Sequence, residues 1–267
     1  MLNLFPWPAA CPSRTVMTRT SVPGALITLI GTGHVFDIGA RVRDEIRRRE
    51  PQVVGIELDP PRFHALRTRN KDKKGLPLAY RVLAGFQTRV ANEYGVEAGD
   101  EMLAASEEAR ALGVPLALID ADAQQTFAKL RREMRFFEKV KLLGALAAGL
   151  VLPGKSVDKQ IDEMQDDYAS YFEEMGRRFP TVKRVLLDER NEHMAAQLVR
   201  LAGTQERVVA VVGDGHVDGI RDILVAKGLP VETVRLKQLR AKDPPPVGTA
   251  TATVGFDLPG DAPPPRP

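Results

Sequence analysis

A run of β-forming residues followed by the pentapeptide Gly-x-Gly-His-Val occurs twice in this chain, and this repeat constrains the fold strongly. The first copy joins residues 25–30 to residues 31–35, and the second joins residues 208–212 to residues 213–217. A strand that ends in a glycine-rich turn presents the next side chain at the carboxyl edge of a sheet, where open α/β folds bind ligands. We therefore expect His34 and His216 to contribute to one shared site, with their imidazoles within about 8 Å of each other.

Strand and helix patterns alternate along most of the chain. This alternation predicts an α/β fold with a mainly parallel sheet flanked by helices. The predicted strands are Ala25–Ile30, Val53–Leu58, Pro115–Ile119, Val208–Val212 and about Val231–Arg235, and the clearest predicted helices are Phe36–Arg49, Asp100–Leu112 and Gly219–Lys227.

The segment from Gln124 to about Gly203 interrupts this alternation. Its pattern predicts three long helices, divided at Pro153-Gly154 and at Pro180, which is more chain than a crossover requires. We expect a long helical insertion between the third and fourth strands, at about 124–203, that packs over the site or mediates self-association into a homo-oligomer.

The composition of the chain's two ends indicates where the folded domain begins and ends. We expect a disordered leader at 1–22, an α/β domain at 23–240 and a disordered proline-rich tail at 241–267, with Met17 as an alternative start to Met1.

The net charge of +3 gives little support for a nucleic-acid partner, and the single cysteine, Cys11, cannot form an internal disulfide. The longest apolar stretch, residues 142–152, is too short to span a bilayer, and the leader lacks the charge order of a secretory signal. We expect a cytoplasmic protein without an integral membrane segment.

Several predicted strands end in residues with reactive side chains, namely His34, Glu57, Asp59, Asp120 and His216. Imidazole and carboxylate together bind divalent transition metals, and they also activate water without a metal. Each residue has an alternative structural role: a histidine at a strand end satisfies backbone groups, and both aspartates are candidate helix caps. Glu57 is the most informative of the carboxylates, because a charge inside an apolar strand costs several kcal/mol unless it is paired or coordinated.

The sequence Asp188-Glu189-Arg190-Asn191 forms a second polar cluster. Its spacing alone favours a charged helix face. In the alternative interpretation, Arg190 and Asn191 reach into the site as oxyanion donors or carboxylate clamps.

Nucleotide binding is a competing interpretation of the first motif, because Gly31-x-Gly33 follows a strand and Glu57 or Asp59 ends the next one. Two features oppose it: Phe36 occupies the position where a glycine or alanine is needed, and the fingerprint leaves the second motif unexplained.

Taken together, these motifs resemble the TraB family, which includes the bacterial pheromone-shutdown protein PrgY and is related to GumN and the Tiki proteases. The resemblance covers roughly residues 25–236 in family order. The matching segments are residues 31–35, 54–59, 118–120, 188–191 with 194–195, and 212–220.

The resemblance implies an active site made of two Gly-x-x-His motifs and a glutamate, with metal-dependent proteolysis in the Tiki branch. It also implies a fold shared with erythromycin-esterase-like and ChaN-like proteins, where the related site need not use a metal. This sequence has Ala121 where the family leads us to expect an arginine. It also has the proline-rich tail where family members often carry a membrane-spanning region.

Our first hypothesis is therefore a metal-dependent peptidase or related hydrolase that acts on a peptide or a small molecule. His34, Glu57 and His216 would hold Mn²⁺, Co²⁺ or Zn²⁺, and the glycines Gly31 and Gly213 would shape the two turns. The second hypothesis is a non-enzymatic protein that binds or sequesters a peptide or small ligand in the same pocket.

Overall fold

In the computed structural model, the described residues are 3–5, 24–33, 38–68, 99–151, 174 and 176–240. They form a six-stranded sheet in the order β1-β4-β3-β5-β2-β6, in which β1 is antiparallel to β4 and the other strands are parallel. The strands are β1 (Asn3–Phe5), β2 (Leu26–Thr32), β3 (Val53–Ile56), β4 (Leu116–Leu118), β5 (Arg207–Gly213) and β6 (Val231–Val234).

Helices cover both faces of this sheet. They are α1 (Gly39–Arg48), α2 (Pro60–Arg67), α3 (Asp100–Ala111), α4 (Ala123–Glu133), α5 (Phe136–Val151), α6 (Pro180–Lys183), α7 (Glu189–Ala202), α8 (Asp214–Ala226) and α9 (Leu236–Arg240), with a π-helical turn at Arg184–Asp188 between α6 and α7. Among the described residues, no helix is both long and apolar enough to cross a membrane.

Two hydrophobic clusters hold the helices to the sheet. On one face, α7 and α8 pack through residues such as Leu198 and Ile220. On the other face, α1, α2, α3 and α9 pack through residues such as Val42, Phe63 and Met102. The central strands are apolar along their length because both of their faces are buried. The predicted α/β fold is confirmed.

The strands that carry the two motifs are direct neighbours. β2 pairs with β5 in parallel, and Thr32 lies opposite Gly213. The two motifs therefore leave the sheet side by side at its carboxyl edge, as predicted. His34 lies outside the described residues, so the expected distance between the two imidazoles stays a prediction.

Three local features differ from the sequence expectations. Asn3–Phe5 lies in the leader that we expected to be disordered, yet its backbone pairs with the otherwise open edge of β4. His216 lies in the first turn of a helix, because α8 begins at Asp214 directly after β5 and leaves no loop. The insertion has an additional break at Met134 and Arg135, and residues 152–173 lie outside the described residues.

Candidate functional site

Five polar side chains meet at the carboxyl edge of the sheet, which is the edge that the sequence predicts. Glu57 follows β3, Asp120 follows β4, and His216 lies in the first turn of α8. Arg190 and Asn191 come from the first turn of α7, immediately after the π-helical turn. Single π-helical turns occur often at functional sites, and this one directly precedes Glu189-Arg190-Asn191.

The Arg190 guanidinium lies at the centre of this cluster. Its Nε and Nη2 bind Asp120 at 3.0 and 2.7 Å, and Nη2 also binds Glu57 Oε1. Its Nη1 donates to the Leu186 carbonyl at 3.2 Å and lies 3.1 Å from His216 Nε2. Burial alone lowers the pKa of this guanidinium, but the Glu57 and Asp120 carboxylates outweigh burial and raise the pKa above its ordinary value. Arg190 is therefore a permanent cation.

Glu57 is only 8% exposed, and each of its carboxylate oxygens has polar neighbours. Its Oε2 accepts a 2.6 Å hydrogen bond from the backbone nitrogen of Gly213. Its Oε1 accepts from Arg190 and lies 3.4 Å from His216 Nε2. These partners offset the cost of a buried carboxylate, and they hold Glu57 at the cluster.

The contacts of His216 fix its tautomer. Its Nδ1 lies 2.6 Å from Asn191 Oδ1, and its Nε2 faces Arg190. An arginine can only donate, so Nε2 must accept and Nδ1 must carry the proton that it donates to Asn191. The neutral ring therefore accepts at Nε2 from Arg190, and Glu57 Oε1 lies 3.4 Å from the same nitrogen. The amide oxygen of Asn191 thus orients His216, and its expected role as an oxyanion donor or carboxylate clamp stays a prediction.

A second arginine, Arg62, extends the cluster, and sequence reasoning missed it. Arg62 binds Asp120 with Nη2, and its Nε lies 3.2 Å from Asp59 Oδ2. Burial lowers the pKa of Arg62, but Asp120 and Asp59 outweigh burial and raise it. The nearest sequence signal was its position in the first turn of α2, which begins at the same sheet edge. The sequence has Ala121 where the family resemblance leads us to expect an arginine. In the structure, Asp120 instead binds Arg62.

The remaining candidates divide between structural and site roles. Asp59 caps α2 by accepting from the Arg62 backbone nitrogen at 2.8 Å, as its alternative role predicted. Asp120 is not the cap of α4, because Asp122 fills that position. A side chain at Gly31 would overlap the carboxylate of Asp214. Asp188 and Glu189 bind Lys183, Lys129 and Arg184, so the charged-face interpretation holds for those two acids.

The geometry of Glu57 and His216 fits part of a site for a divalent ion. Two ligand atoms that each lie 2.0–2.1 Å from a tetrahedral ion are about 3.3 Å apart, and the observed separation between Glu57 Oε1 and His216 Nε2 is 3.4 Å. The hydrogen bond from His216 Nδ1 to an amide oxygen is the usual arrangement behind a metal-bound imidazole. Arg190 contacts both ligand atoms, so an ion at this position would have to displace its guanidinium.

A pocket of about 620 Å³ opens beside Asp120 and Arg190. Helix α4 lines it with residues such as Gln125 and Lys129, and α7 lines it with residues such as Gln197. Both helices belong to the 124–203 segment, and the sequence predicts this segment near the opening of the site. Two described helices of the segment therefore line a pocket beside Asp120 and Arg190, and their position over the whole site stays a prediction.

Comparison with known proteins gives the family. Residues 16–233 match the family model described as TraB/PrgY/gumN. The uncharacterized protein MJ1365 of Methanocaldococcus jannaschii is 33% identical over 206 residues, which cover 73% of this chain and 52% of that protein. The chain thus spans about half the length of this relative.

Among solved structures, the chain is similar to one described as cofacial heme binding to ChaN of Campylobacter jejuni. The similarity covers 78% of this chain and 80% of that chain, at 13% identity and a TM-score of 0.37. A similarity this remote carries no argument about ligands. The match over residues 16–233 does establish the family, and the chain belongs to the TraB/PrgY/gumN family.

Proposed function

We propose that this protein is a hydrolase that activates water at the cluster of Glu57, His216 and Arg190 and cleaves an amide or related bond. The observation that carries the proposal is the 3.4 Å approach of Glu57 Oε1 to a His216 Nε2 whose lone pair is fixed by Asn191. A buried carboxylate and a neutral imidazole at this distance are suited to accept and return a proton.

Glu57 and His216 would also hold a divalent ion, Mn²⁺, Co²⁺ or Zn²⁺, with His34 as the third ligand. Such an ion supplies a Lewis acid and lowers the pKa of bound water toward neutrality. The contribution of the chain itself is orientation and charge. Asn191 holds the tautomer of His216, the Gly213 backbone nitrogen holds Glu57, and Arg190 offers its cation to an oxyanion that develops beside it.

Digestion of a peptide library by the purified chain, with Mn²⁺, Co²⁺ or Zn²⁺ added, tests this proposal. Glu57→Gln and His216→Asn should each lower turnover by at least about 100-fold, because general acid–base groups contribute about 10²–10⁴. Glu107→Gln and His64→Asn are matched controls, since both residues are exposed and lie outside the cluster. Cleavage that persists in both cluster variants would overturn the proposal.

One observation favours the second hypothesis, a binding protein without turnover. Arg190 and Arg62 together balance the charges of Glu57 and Asp120, so these four side chains are charge-compensated without an ion. Saturable binding of a peptide or small molecule, without cleavage under any of the three metals, would support this alternative.

The cellular setting is part of the proposal. A cytoplasmic location and self-association through the 124–203 segment stay predictions from the sequence. On α5 within that segment, Phe136 and Phe137 are 73% and 83% exposed, which supports the self-association.

A further inference from the structure

Helix α7 carries a polar stripe that leads away from the cluster. The stripe consists of Arg190, His193, Gln197 and Arg200, whose spacing of three, four and three residues places them on one helical face. All four line the pocket of about 620 Å³. A different face of the same helix packs into the core through Met194 and Leu198. The stripe therefore forms one wall of a groove that starts at Arg190 and reaches the exposed Arg200.

Gln197 is the strongest sign that this groove binds a ligand. The residue is only 6% exposed, and its Nε2 lies 3.2 Å from His193 Nε2, while its Oε1 has no hydrogen-bond partner within the described part of the chain. Reversing the amide would pair Oε1 with His193 and leave Nε2 without a partner instead. In either orientation, one polar atom of this buried amide lacks a partner among the described residues in a side chain that lines the groove, and buried polar groups are normally satisfied.

The charges of the groove indicate what kind of group it accepts. Its acidic side chains already have partners: Asp59 and Asp120 bind Arg62, Asp122 caps α4, and Glu189 binds Lys129. Arg200, in contrast, has no acidic partner among the residues that the structure describes. The groove thus offers an uncompensated cation at its outer end and an unsatisfied amide in its interior.

We propose that this groove binds an extended, amide-containing ligand with a free carboxylate, of the kind presented by the carboxyl-terminal end of a peptide. The carboxylate lies at Arg200, an amide of the ligand pairs with Gln197, and the other end of the ligand reaches Arg190. From residue 190 to residue 200 the helix rises about 15 Å, which an extended chain of about four residues spans. The inference depends on the proposed function only for the chemistry at the inner end, because the groove binds with or without turnover.

Calorimetry on the full chain in EDTA tests this inference, with N-acetyl-tetraalanine as the free acid and as its carboxyl-terminal amide. The wild-type chain should bind the acid about tenfold more tightly than the amide, because a charge-assisted pair with Arg200 is lost in the amide. Arg200→Gln should abolish this preference. Arg131→Gln, an exposed arginine of α4 outside the groove, should preserve it.

A second variant separates a ligand contact from a structural one. Gln197→Leu should weaken binding of both peptides while leaving the thermal midpoint unchanged or higher, because it removes an unsatisfied polar group. Equal binding of acid and amide, no binding of either, or a lower midpoint in Gln197→Leu would each overturn the inference. Because no metal is present, a failure of peptide hydrolysis leaves these results unaffected, so the two proposals fail separately.

Discussion

Arg190 lies where a divalent ion bound to Glu57 and His216 would lie, so its removal should have opposite effects on metal binding and on stability. In Arg190→Met, the ligand atoms Glu57 Oε1 and His216 Nε2 lose a competing cation. We expect the affinity for Zn²⁺ to rise about tenfold, since the gain in local negative charge also favours a cation.

The same variant leaves the Glu57 carboxylate buried without its counter-ion, although Arg62 still binds Asp120. The free energy of unfolding should therefore fall by about 3 kcal/mol. Calorimetric Zn²⁺ titration and urea unfolding measure the two effects, with the exposed Arg131→Met as control. A lower Zn²⁺ affinity in Arg190→Met would show that the arginine supports the ion and does not compete with it.

A substitution at Gly219 can displace the Asn191 side chain without replacing any polar side chain. A side chain at Gly219 would overlap the amide of Asn191, so Gly219→Ala should push that amide away from His216 Nδ1. We expect a 10–100-fold loss of metal affinity, which is about the effect of removing a partner behind a ligating histidine. Nitrogen NMR of the His216 ring should show the loss of the Nδ1–H tautomer.

Gly144→Ala is the matched control, because a Cβ there meets nothing within 4 Å and α5 tolerates alanine well. Equal metal affinity in the two alanine variants would remove Asn191 from the positioning role.

His193 should make stability sensitive to acid. Burial lowers the pKa of this imidazole, nearby Arg200 lowers it further, and Asp120 opposes the shift. A depressed folded pKa means that the contribution to stability is present above the unfolded pKa of about 6.5 and is lost as pH falls through the folded value. Urea midpoints at pH 7.5 and pH 5 should therefore differ less in His193→Gln than in the wild type. The exposed His64→Gln should behave like the wild type, and an identical acid loss in His193→Gln would contradict the prediction.

At this scale the sequence predicts the members of the site better than their roles. Glu57 stands out because a carboxylate in an apolar strand must be paired, and the repeat marks His216. The contact between Asn191 and His216 depends on how α7 crosses α8, which no local pattern encodes. Arg62 was missed for the same reason. Its local sequence resembles that of an exposed helical arginine, and only the fold brings it into contact with Asp120.

At the scale of elements, one aspartate joins the starts of two helices. Asp59 accepts from the Arg62 backbone nitrogen of α2 at 2.8 Å and from the Ala123 backbone nitrogen of α4 at 2.7 Å. Asp59→Ala should cost about 2 kcal/mol, because it removes the equivalent of two caps of about 1 kcal/mol each. Asp122→Ala removes a single cap, at the first turn of α4, and should cost about 1 kcal/mol. Urea unfolding measures both, and equal losses would contradict the double role of Asp59.

The five parallel strands were predicted to within about two residues because their runs are apolar and bounded by glycine, proline or charge, whereas β1 was not predicted. The helix-forming segments were harder to divide. The break at Met134 and the π-helical turn at Arg184–Asp188 follow from packing among α4, α5 and α6, where Val185 and Leu130 form a small cluster of their own. Neither break has a glycine or proline in its local sequence that would have indicated it.

At the scale of the whole molecule, the sheet order joins the two ends of the domain. β2 and β5 are neighbours although about 180 residues separate their paired positions, such as Thr32 and Gly213. This adjacency could be predicted from the repeated motif, because a site shared by the two copies would require it. The contacts that Arg190 and Asn191 make at the site depend on how the helical segment between the strands packs. The sequence does not predict that packing.

The metal content of the purified chain tests the shared site most directly. After incubation with Zn²⁺ and dialysis, we predict about one ion per wild-type chain, because the two imidazoles and the carboxylate would together form a catalytic-type site with one open position. His34→Asn, Glu57→Gln and His216→Asn should each retain far less, while His64→Asn should match the wild type. The same negligible metal content in the wild type and all four variants would contradict the metal site, and loss in His216→Asn without loss in His34→Asn would show that the two motifs do not share it.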